Sequence, residues 1–323
     1  MSNLKVLSVS SYAPEGVISN HDLTKIVDTS DEWIKTRTGI SNRRIVKAED
    51  GCELAFRASE EALKKANLTA DDIDLIIVSS TAPDYHIPTV ACKVQGMLGA
   101  KNAVAFDINA ACSGYVYALK IAKQFAFDCK YKNILIICSE VLSKIVDWND
   151  RNTCVLFGDG ACATILQNNS EKENVISVEI FSDGSQWEAL TCKSRSINNP
   201  LREHVKENNY IDMDGKSIFK FATRIITEGI KDLLDKNNIS IDDIKYIVPH
   251  QANTRMFEYC AKKLNIDLSK FYINIQEYGN TSSASMGIAL NEIIDQGLLN
   301  RGAKIILVGF GGGLTWGYAL VEY

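Results

Sequence analysis

The sequence predicts an α/β protein assembled from two duplicated halves. Short continuous apolar runs alternate with amphipathic stretches, as strands covered on both faces and their covering helices do. Segments also recur. Asn67-Leu-Thr-Ala-Asp-Asp-Ile-Asp-Leu-Ile-Ile-Val78 resembles Asn238-Ile-Ser-Ile-Asp-Asp-Ile-Lys-Tyr-Ile-Val-Pro249, 171 positions later. At a similar offset, Lys132-Asn-Ile-Leu-Ile-Ile137 resembles Ala303-Lys-Ile-Ile-Leu-Val308. Finally, 323 residues exceed what a single core usually organises. The halves are expected over 1–170 and 171–323, joined by an irregular linker at about 170–215.

Taken in order, Lys5–Tyr12 reads as the first strand. Leu23–Val27 and Asp31–Arg37 read as short helices, the second opened by Ser30 and two acidic residues. Glu53–Lys65 is a helix rich in Ala, Glu and Lys, Ile73–Ser79 a strand, and Thr89–Leu98 a helix. Ala103-Val-Ala-Phe-Asp-Ile-Asn-Ala-Ala-Cys112-Ser-Gly114 reads as a buried strand that turns abruptly into a helix. That helix is expected to run to about Cys129, with Val116, Leu119, Ala122 and Phe125 at spacings of three. Strands follow at Asn133–Ser139, Cys162–Gln167 and Val175–Phe181, with loops at Ser170–Glu173 and Ser194–Asn208. Gly215–Lys236 is a long helix, and Ile244–Val248 and Tyr272–Ile275 are strands. The last repeated strand ends in Gly309-Phe-Gly-Gly-Gly313, and Thr315–Val321 continues as strand.

Composition narrows the function. A net charge of −5 argues against a general nucleic-acid binder, which would carry a basic excess. None of the nine cysteines forms a C-x-x-C pair, and several lie in apolar runs, so reduced, buried thiols of a cytosolic protein are expected. No zinc site or disulfide framework is expected. The N-terminus has no signal-peptide apolar region, and no apolar run is long enough to span a bilayer.

The chemistry gathers at strand ends, where open α/β sheets usually build their sites. Cys112 stands at a strand–helix corner, where free N–H groups and the helix dipole favour an anion. A thiol of ordinary pKa is about 3% ionised at neutral pH, and lowering the pKa by one unit gives roughly 24%. The corner therefore suits an acyl-accepting thiolate, although a free cysteine is most often a small core residue. His250 follows Ile244–Val248 in Pro249-His-Gln-Ala-Asn253, and Asn280 lies in Gly279-Asn-Thr-Ser-Ser-Ala-Ser285. By type alone, such a histidine is usually structural and such an asparagine a turn residue. His21, His86 and His204 keep the structural reading. Gly309–Gly313 does not fit a dinucleotide loop, because G-x-G-x-x-G fails at Leu314 and strand follows; its bare N–H groups suit an oxyanion. Phe157-Gly-Asp-Gly160 reads as a tight turn.

Ala111-Cys-Ser-Gly114, Pro249-His-Gln-Ala-Asn253, Gly279-Asn-Thr-Ser-Ser-Ala284 and Gly311-Gly-Gly-Leu-Thr-Trp-Gly317 together resemble the β-ketoacyl-[acyl-carrier-protein] synthase III family. The likeness extends to Thr29-Ser-Asp-Glu-Trp-Ile34, Arg37-Thr-Gly-Ile40 and Leu156-Phe-Gly-Asp-Gly-Ala161. It implies the thiolase fold, in which duplicated halves form five layers, α-β-α-β-α, usually as a homodimer in the cytoplasm. It implies a decarboxylating condensation of an acyl-CoA primer with malonyl-acyl carrier protein, with no cofactor and no metal. Cys112 would take the acyl group, His250 and Asn280 would stabilise the enolate, and the N–H groups of Cys112 and Gly312 would hold the oxyanion. Trp33 and Arg151 would sandwich the CoA adenine, Arg37 and Thr38 would serve its phosphates, and Phe219 and Asn253 would line the pantetheine channel. The Gln251, Ala252, Asn253, Thr254 and Arg255 segment, with Lys220, would meet the acidic carrier protein. Ile87 and Phe310 would shape the acyl pocket, Ile87 from the partner subunit. Many acetyl-primed relatives have Phe at the Ile87 position, so primer length stays open: acetyl, branched or longer. A related enzyme of specialised metabolism with the same triad is the alternative. A non-catalytic thioester-binding subunit is disfavoured because all three side chains remain.

Overall fold

The structure, a computed structural model, describes residues 3–168, 173–197, 199–201 and 208–323. The proposed boundary at 170/171, His204, and parts of the Ser170–Glu173 and Ser194–Asn208 loops lie outside the described residues. The first sheet is built from β1 (Leu4–Tyr12), β2 (Leu75–Ser79), β3 (Val104–Ile108), β4 (Asn133–Val141) and β5 (Asp159–Asn168), in the order β1-β5-β4-β2-β3. The second contains β6 (Val175–Ser182), β7 (Ile244–Pro249), β8 (Lys304–Gly311) and β9 (Thr315–Glu322), in the order β6-β9-β8-β7. In both sheets the two strands at the start of the order pair antiparallel, and the repeated segments supply the parallel strands, β2 with β4 and β7 with β8.

The repeat has a local physical cause. In each copy a helix ends on an asparagine in the left-handed region, Asn67 (φ 55°) and Asn238 (φ 50°). A single turn then follows with a reciprocal cap, Thr69 with Asp72 and Ser240 with Asp243, and delivers the chain into a buried strand.

The described helices include α1 (Asp31–Thr38), α2 (Gly51–Ala66), α3 (Val90–Leu98), α4 (Gly114–Phe125), α5 (Gly215–Asn237), α6 (Thr254–Leu264) and α7 (Ala284–Asp295). Side chains alternate across each strand, so one strand serves two layers. Leu75, Ile77, Ile134 and Ile136 pack inward with Val116, Leu119, Ala289 and Ile293 of α4 and α7, which meet Ile305 and Leu307 of the second sheet. The intervening Ile76, Val78, Leu135 and Ile137 pack outward with Ala55, Ala58 and Ala62 of α2 and Val94 of α3. Ile306 and Val308 pack outward with Ile226 and Ile230 of α5 and Phe257 of α6. The result is five layers, α-β-α-β-α.

Several elements differ from expectation. β3 is an edge strand, not a buried one: among the described residues it pairs only with β2, and Val104 is 51% exposed. The helix after Cys112 ends at Phe125, and Phe127 is exposed. The first short helix lies at Asn20–Leu23 because Ser19 and Asp22 cap it there. Tyr272–Ile275 is no strand; the fifth position of the second sheet is reduced to one bridge, Ile247 to Phe271, before a turn of helix at Ile275–Tyr278. Two small ribbons, Val17–Ser19 with Asn42–Arg44 and Leu190–Cys192 with Ile211–Met213, are new.

Candidate active site

Cys112 lies in a single turn, Ala111–Ser113, between the end of β3 and Gly114 at the start of α4. The corner is sharp, and Ala111 takes a left-handed conformation (φ 46°). The Ser113 hydroxyl sits 2.6 Å from the Ala110 carbonyl and 2.7 Å from Thr315 Oγ1. Thr315 Oγ1 in turn lies 2.9 Å from the Ala110 carbonyl and 3.0 Å from that of Gly312. This staples the nucleophile turn to the glycine-rich end of the second sheet. The backbones meet so closely that a Cβ on Gly311 would lie 2.6 Å from the Cys112 nitrogen. Only glycine allows that approach.

The thiol stands between two cavities. The inner one, about 300 Å³, is mostly apolar and includes Leu142, Ile145, Phe157, Leu190 and Ile211. Gly312 and a second thiol, Cys192, also line it. The other cavity, about 110 Å³, brings Cys112 together with His250, Asn280, Phe219, Asn253 and Phe310. Burial pushes the Cys112 thiol up to about 12, with a smaller opposing contribution from the Ser282 side chain. The depressed pKa expected from the helix end is therefore absent: the thiol is 7% exposed, and desolvation outweighs the partial charge of the helix terminus.

His250 follows β7 and is fixed by its backbone N–H to the Val308 carbonyl, 2.8 Å away. Its Nδ1 lies 2.8 Å from Ser285 Oγ, and Ser285 Oγ accepts from the Gln251 N–H at 3.1 Å. When that hydroxyl gives its own proton to Nδ1, the ring carries hydrogen on Nε2 and is a donor there, the tautomer that stabilising an enolate requires. Phe310 packs edge-on against the ring, centroids 5.1 Å apart. Burial drives the His250 pKa down to about 3, so the ring is neutral throughout the physiological range. Asn280 Oδ1 accepts from the Ser282 N–H at 2.9 Å, which leaves the amide NH₂ as its donor. The residue is held by an isolated bridge to Phe157. Phe157–Gly160 is thus the approach to β5 and not a tight turn. A Cβ on Gly158 would lie 2.1 Å from the Tyr278 carbonyl oxygen, so the glycine permits the bridge.

The buried imidazole has a stability consequence. Its folded pKa of about 3 lies below the ordinary 6.5. The unfolded chain binds a proton below about 6.5 and the folded chain does not, so the contribution is complete above that pH and is lost as pH falls toward 3. His250 alone is expected to cost about 1.4 kcal/mol per pH unit in that window. Denaturant unfolding of the wild type and His250→Asn between about pH 6 and about pH 4 reads this. The wild type should lose stability more steeply; parallel slopes would contradict it.

Other expected residues are placed as follows. Arg37 and Arg151 both lie on Trp33, with guanidinium carbons 4.6 and 4.8 Å from a ring centroid. A base stacked between Trp33 and Arg151 needs roughly 7 Å, two van der Waals contacts, so the pair must part to admit one. Thr38 is buried, and its hydroxyl donates to the Ile34 carbonyl and accepts from the Ile40 N–H; it is a helix-end brace, not a phosphate ligand. Gln251 is 1% exposed and spends its amide on Pro249, Tyr272 and Asn274, so it forms no docking surface. Ala252, Asn253 and Thr254 are half-buried, and Arg255 and Lys220 are exposed. Asn253 caps α6 and donates to the Arg37 carbonyl. Phe310 faces the His250 cavity, not the inner one. Ile87 is 88% exposed and lines neither cavity. All nine cysteines are free; Cys92, Cys129 and Cys192 are exposed, contrary to a wholly buried set.

A thiol, an imidazole donor and a carboxamide donor around one cavity, on this duplicated five-layered scaffold, define an acyltransferase of the thiolase fold. Comparison with known proteins gives the family. Residues 106–184 match the model described as 3-oxoacyl-[acyl-carrier-protein] synthase III, and residues 234–323 match that of its C-terminal part. A β-ketoacyl-[acyl-carrier-protein] synthase III of Clostridium tetani is 50% identical, covering 99% of this chain and 98% of its own length. The crystal structure of the Aquifex aeolicus 3-oxoacyl-[acyl-carrier-protein] synthase III superposes with a TM-score of 0.92 at 45% identity, covering 99% of this chain and all of that one. That from Thermus thermophilus gives 0.91 at 36% identity, covering 98% of each chain. The chain belongs to the β-ketoacyl-[acyl-carrier-protein] synthase III family, whose members are condensing enzymes of fatty acid synthesis.

Proposed function

We propose that this chain condenses an acyl-CoA primer with malonyl-acyl carrier protein, releasing CO₂ and CoA and leaving 3-oxoacyl-acyl carrier protein. The observation that carries the reading is the shared cavity of Cys112, His250 and Asn280. Cys112 takes the acyl group from CoA. His250 Nε2–H and the Asn280 amide then donate to the malonyl thioester carbonyl, so that charge left by departing CO₂ is stabilised as an enolate. The enolate carbon attacks the Cys112 thioester, and the N–H groups of Cys112 and Gly312 receive the oxyanion. Loss of CO₂ supplies the carbanion equivalent without a strong base, and no cofactor or metal enters the scheme.

The inner apolar cavity takes the acyl chain, and the second takes the pantetheine arm past Phe219 and Asn253. Trp33, Arg37 and Arg151 bind the nucleotide end of CoA. Lys220 and Arg255, both exposed, meet the acidic carrier with Ala252, Asn253 and Thr254 beside them. A homodimer is favoured by the unpaired edge of β3, with Val104 exposed, and by the protrusion of Ile87, which would reach the partner's acyl pocket. Among the described residues no helix is long and apolar enough to cross a membrane, which fits action in the cytoplasm.

Intact-protein mass spectrometry after exposure to an acyl-CoA panel tests the reading. One acyl group should load on Cys112, acetyl or a short or branched chain most readily, and malonyl-carrier protein should discharge it. Loading elsewhere, or none with any primer, would overturn it.

A further inference from the structure

The buried thiol must lose a proton before it can attack a thioester, and the groups lining the two cavities do not take it. Among the described residues, neither cavity is lined by an aspartate, glutamate or lysine. His250 is a weak base here, because its ring is buried, hydrogen-bonded through Nδ1 to Ser285 and held neutral. Behind the turn stands a carboxylate that the condensation does not use, Glu140 at the end of β4, with no exposed surface. Its Oε2 accepts from the Thr81 N–H at 2.9 Å, and its Oε1 from the Ser283 hydroxyl at 2.5 Å. The Thr81 hydroxyl and the Ser283 N–H lie 3.3 and 3.4 Å from Oε1. These partners are neutral, so a buried acidic group sits here with hydrogen bonds and, among the described residues, no ion-pair partner, at a cost an ordinary core would not carry.

The arrangement of those partners is informative. Thr81 and Ser282 line the inner cavity beside Cys112. Ser282 lines that cavity with Cys112, and its chain neighbour Ser283 holds the Glu140 carboxylate, which brings the Ser282 side chain into the electrostatic surroundings of both groups. Ser282 is held in a left-handed conformation (φ 48°), and its N–H is fixed by Asn280. The geometry points to a proton relay in which Glu140, acting through the Ser282 hydroxyl, removes the Cys112 proton as the primer is loaded.

The step balances. The Cys112 S–H proton passes to Ser282 Oγ while the Ser282 proton passes to a Glu140 oxygen. The sulfur attacks the acyl-CoA carbonyl, the tetrahedral adduct collapses, and the C–S bond to CoA breaks. The departing CoA thiolate takes a proton back along the same path, so the enzyme ends with acyl-Cys112 and an ionised Glu140. Burial raises the Glu140 pKa from its ordinary value, which makes it a better base than a surface carboxylate. The titratable groups facing it are Cys112 from the corner turn and Cys138 on its own strand, with Cys162 of β5 and Tyr115 of α4 behind Cys138. Burial raises Cys112, Cys138 and Tyr115, which stay neutral in the working range.

The inference rests on the acyl-enzyme reading above, and one experiment separates the two. Rapid-quench loading of Cys112 from acetyl-CoA, without malonyl-carrier protein, is followed by intact mass from about pH 6 to about pH 9. Wild-type loading should be flat across that range. Glu140→Gln should load about 10²-fold more slowly near neutrality, and its rate should rise about tenfold per pH unit, because the thiol must then ionise unaided. Ser282→Ala, which leaves the bonds of Glu140 to Thr81 and Ser283 intact, should give the same slope and decides the matter if the glutamine variant does not fold. A uniform rate loss in Ser282→Ala with a flat profile, or a wild-type rate in either variant, would overturn the relay while leaving the acyl-enzyme reading in place. Absence of a Cys112 adduct in the wild type would instead remove the reading beneath it.

Discussion

Cys112→Ala is expected to take no acyl label from any acyl-CoA and to lose condensation by on the order of 10⁴-fold or more. The size follows from what sulfur supplies. It splits one difficult carbon–carbon bond formation into an acyl transfer and a condensation, and alanine offers no atom to hold the primer. The change removes little volume at a buried position, so the fold should persist. His250 and Asn280 remain in place, so slow decarboxylation of malonyl-carrier protein without product should survive. Intact mass and CO₂ release read the two outcomes separately. An alanine variant that still carries a primer on another residue would displace Cys112 from its role.

His250→Ala is expected to behave in the opposite way. Loading of Cys112 should stay within a few-fold of wild type, and condensation should fall by about 10²–10³-fold, the usual cost of one preorganised donor. The asymmetry rests on the ring's protonation: buried, neutral and hydrogen-bonded to Ser285, it is a weak base with one N–H to offer. It therefore acts on the enolate and not on the thiol. Since its pKa is near 3, the ring should add no acid limb to condensation near neutrality. Single-turnover loading and steady-state condensation, measured on the same preparation, check both. Equal loss in the two half-reactions would contradict the division.

The halves could be read from sequence because their signals are local and strong. An asparagine end, a reciprocal Thr or Ser cap and an apolar run occur twice in the same order, and each dictates its own geometry. His250 directly follows such a strand and Cys112 follows another strand end, whereas Asn280 comes after the helical turn Ile275–Tyr278 and was legible only through the family resemblance. What escaped has a common cause. The ribbons Leu190–Cys192 and Ile211–Met213 are three residues each, too short for a period to show. β3 carries apolar residues like an inner strand, and only the strand order reveals that one side of it is unpaired. Glu140 looks like any surface acid in Ser-Glu-Val, and its burial depends on Thr81 and Ser283 arriving from distant parts of the chain. Gln251 and Thr38 were misplaced for the same reason: a polar letter does not say whether its hydrogen bonds are already spent inside the protein.

The four strands of the second sheet follow the order of the first four strands in the other. The thiol comes from one half, and the imidazole and carboxamide from the other. Severed from its counterpart, neither half would hold a complete set of reacting groups, so the catalyst is their juxtaposition: one half grips the substrate covalently while the other generates its carbanion.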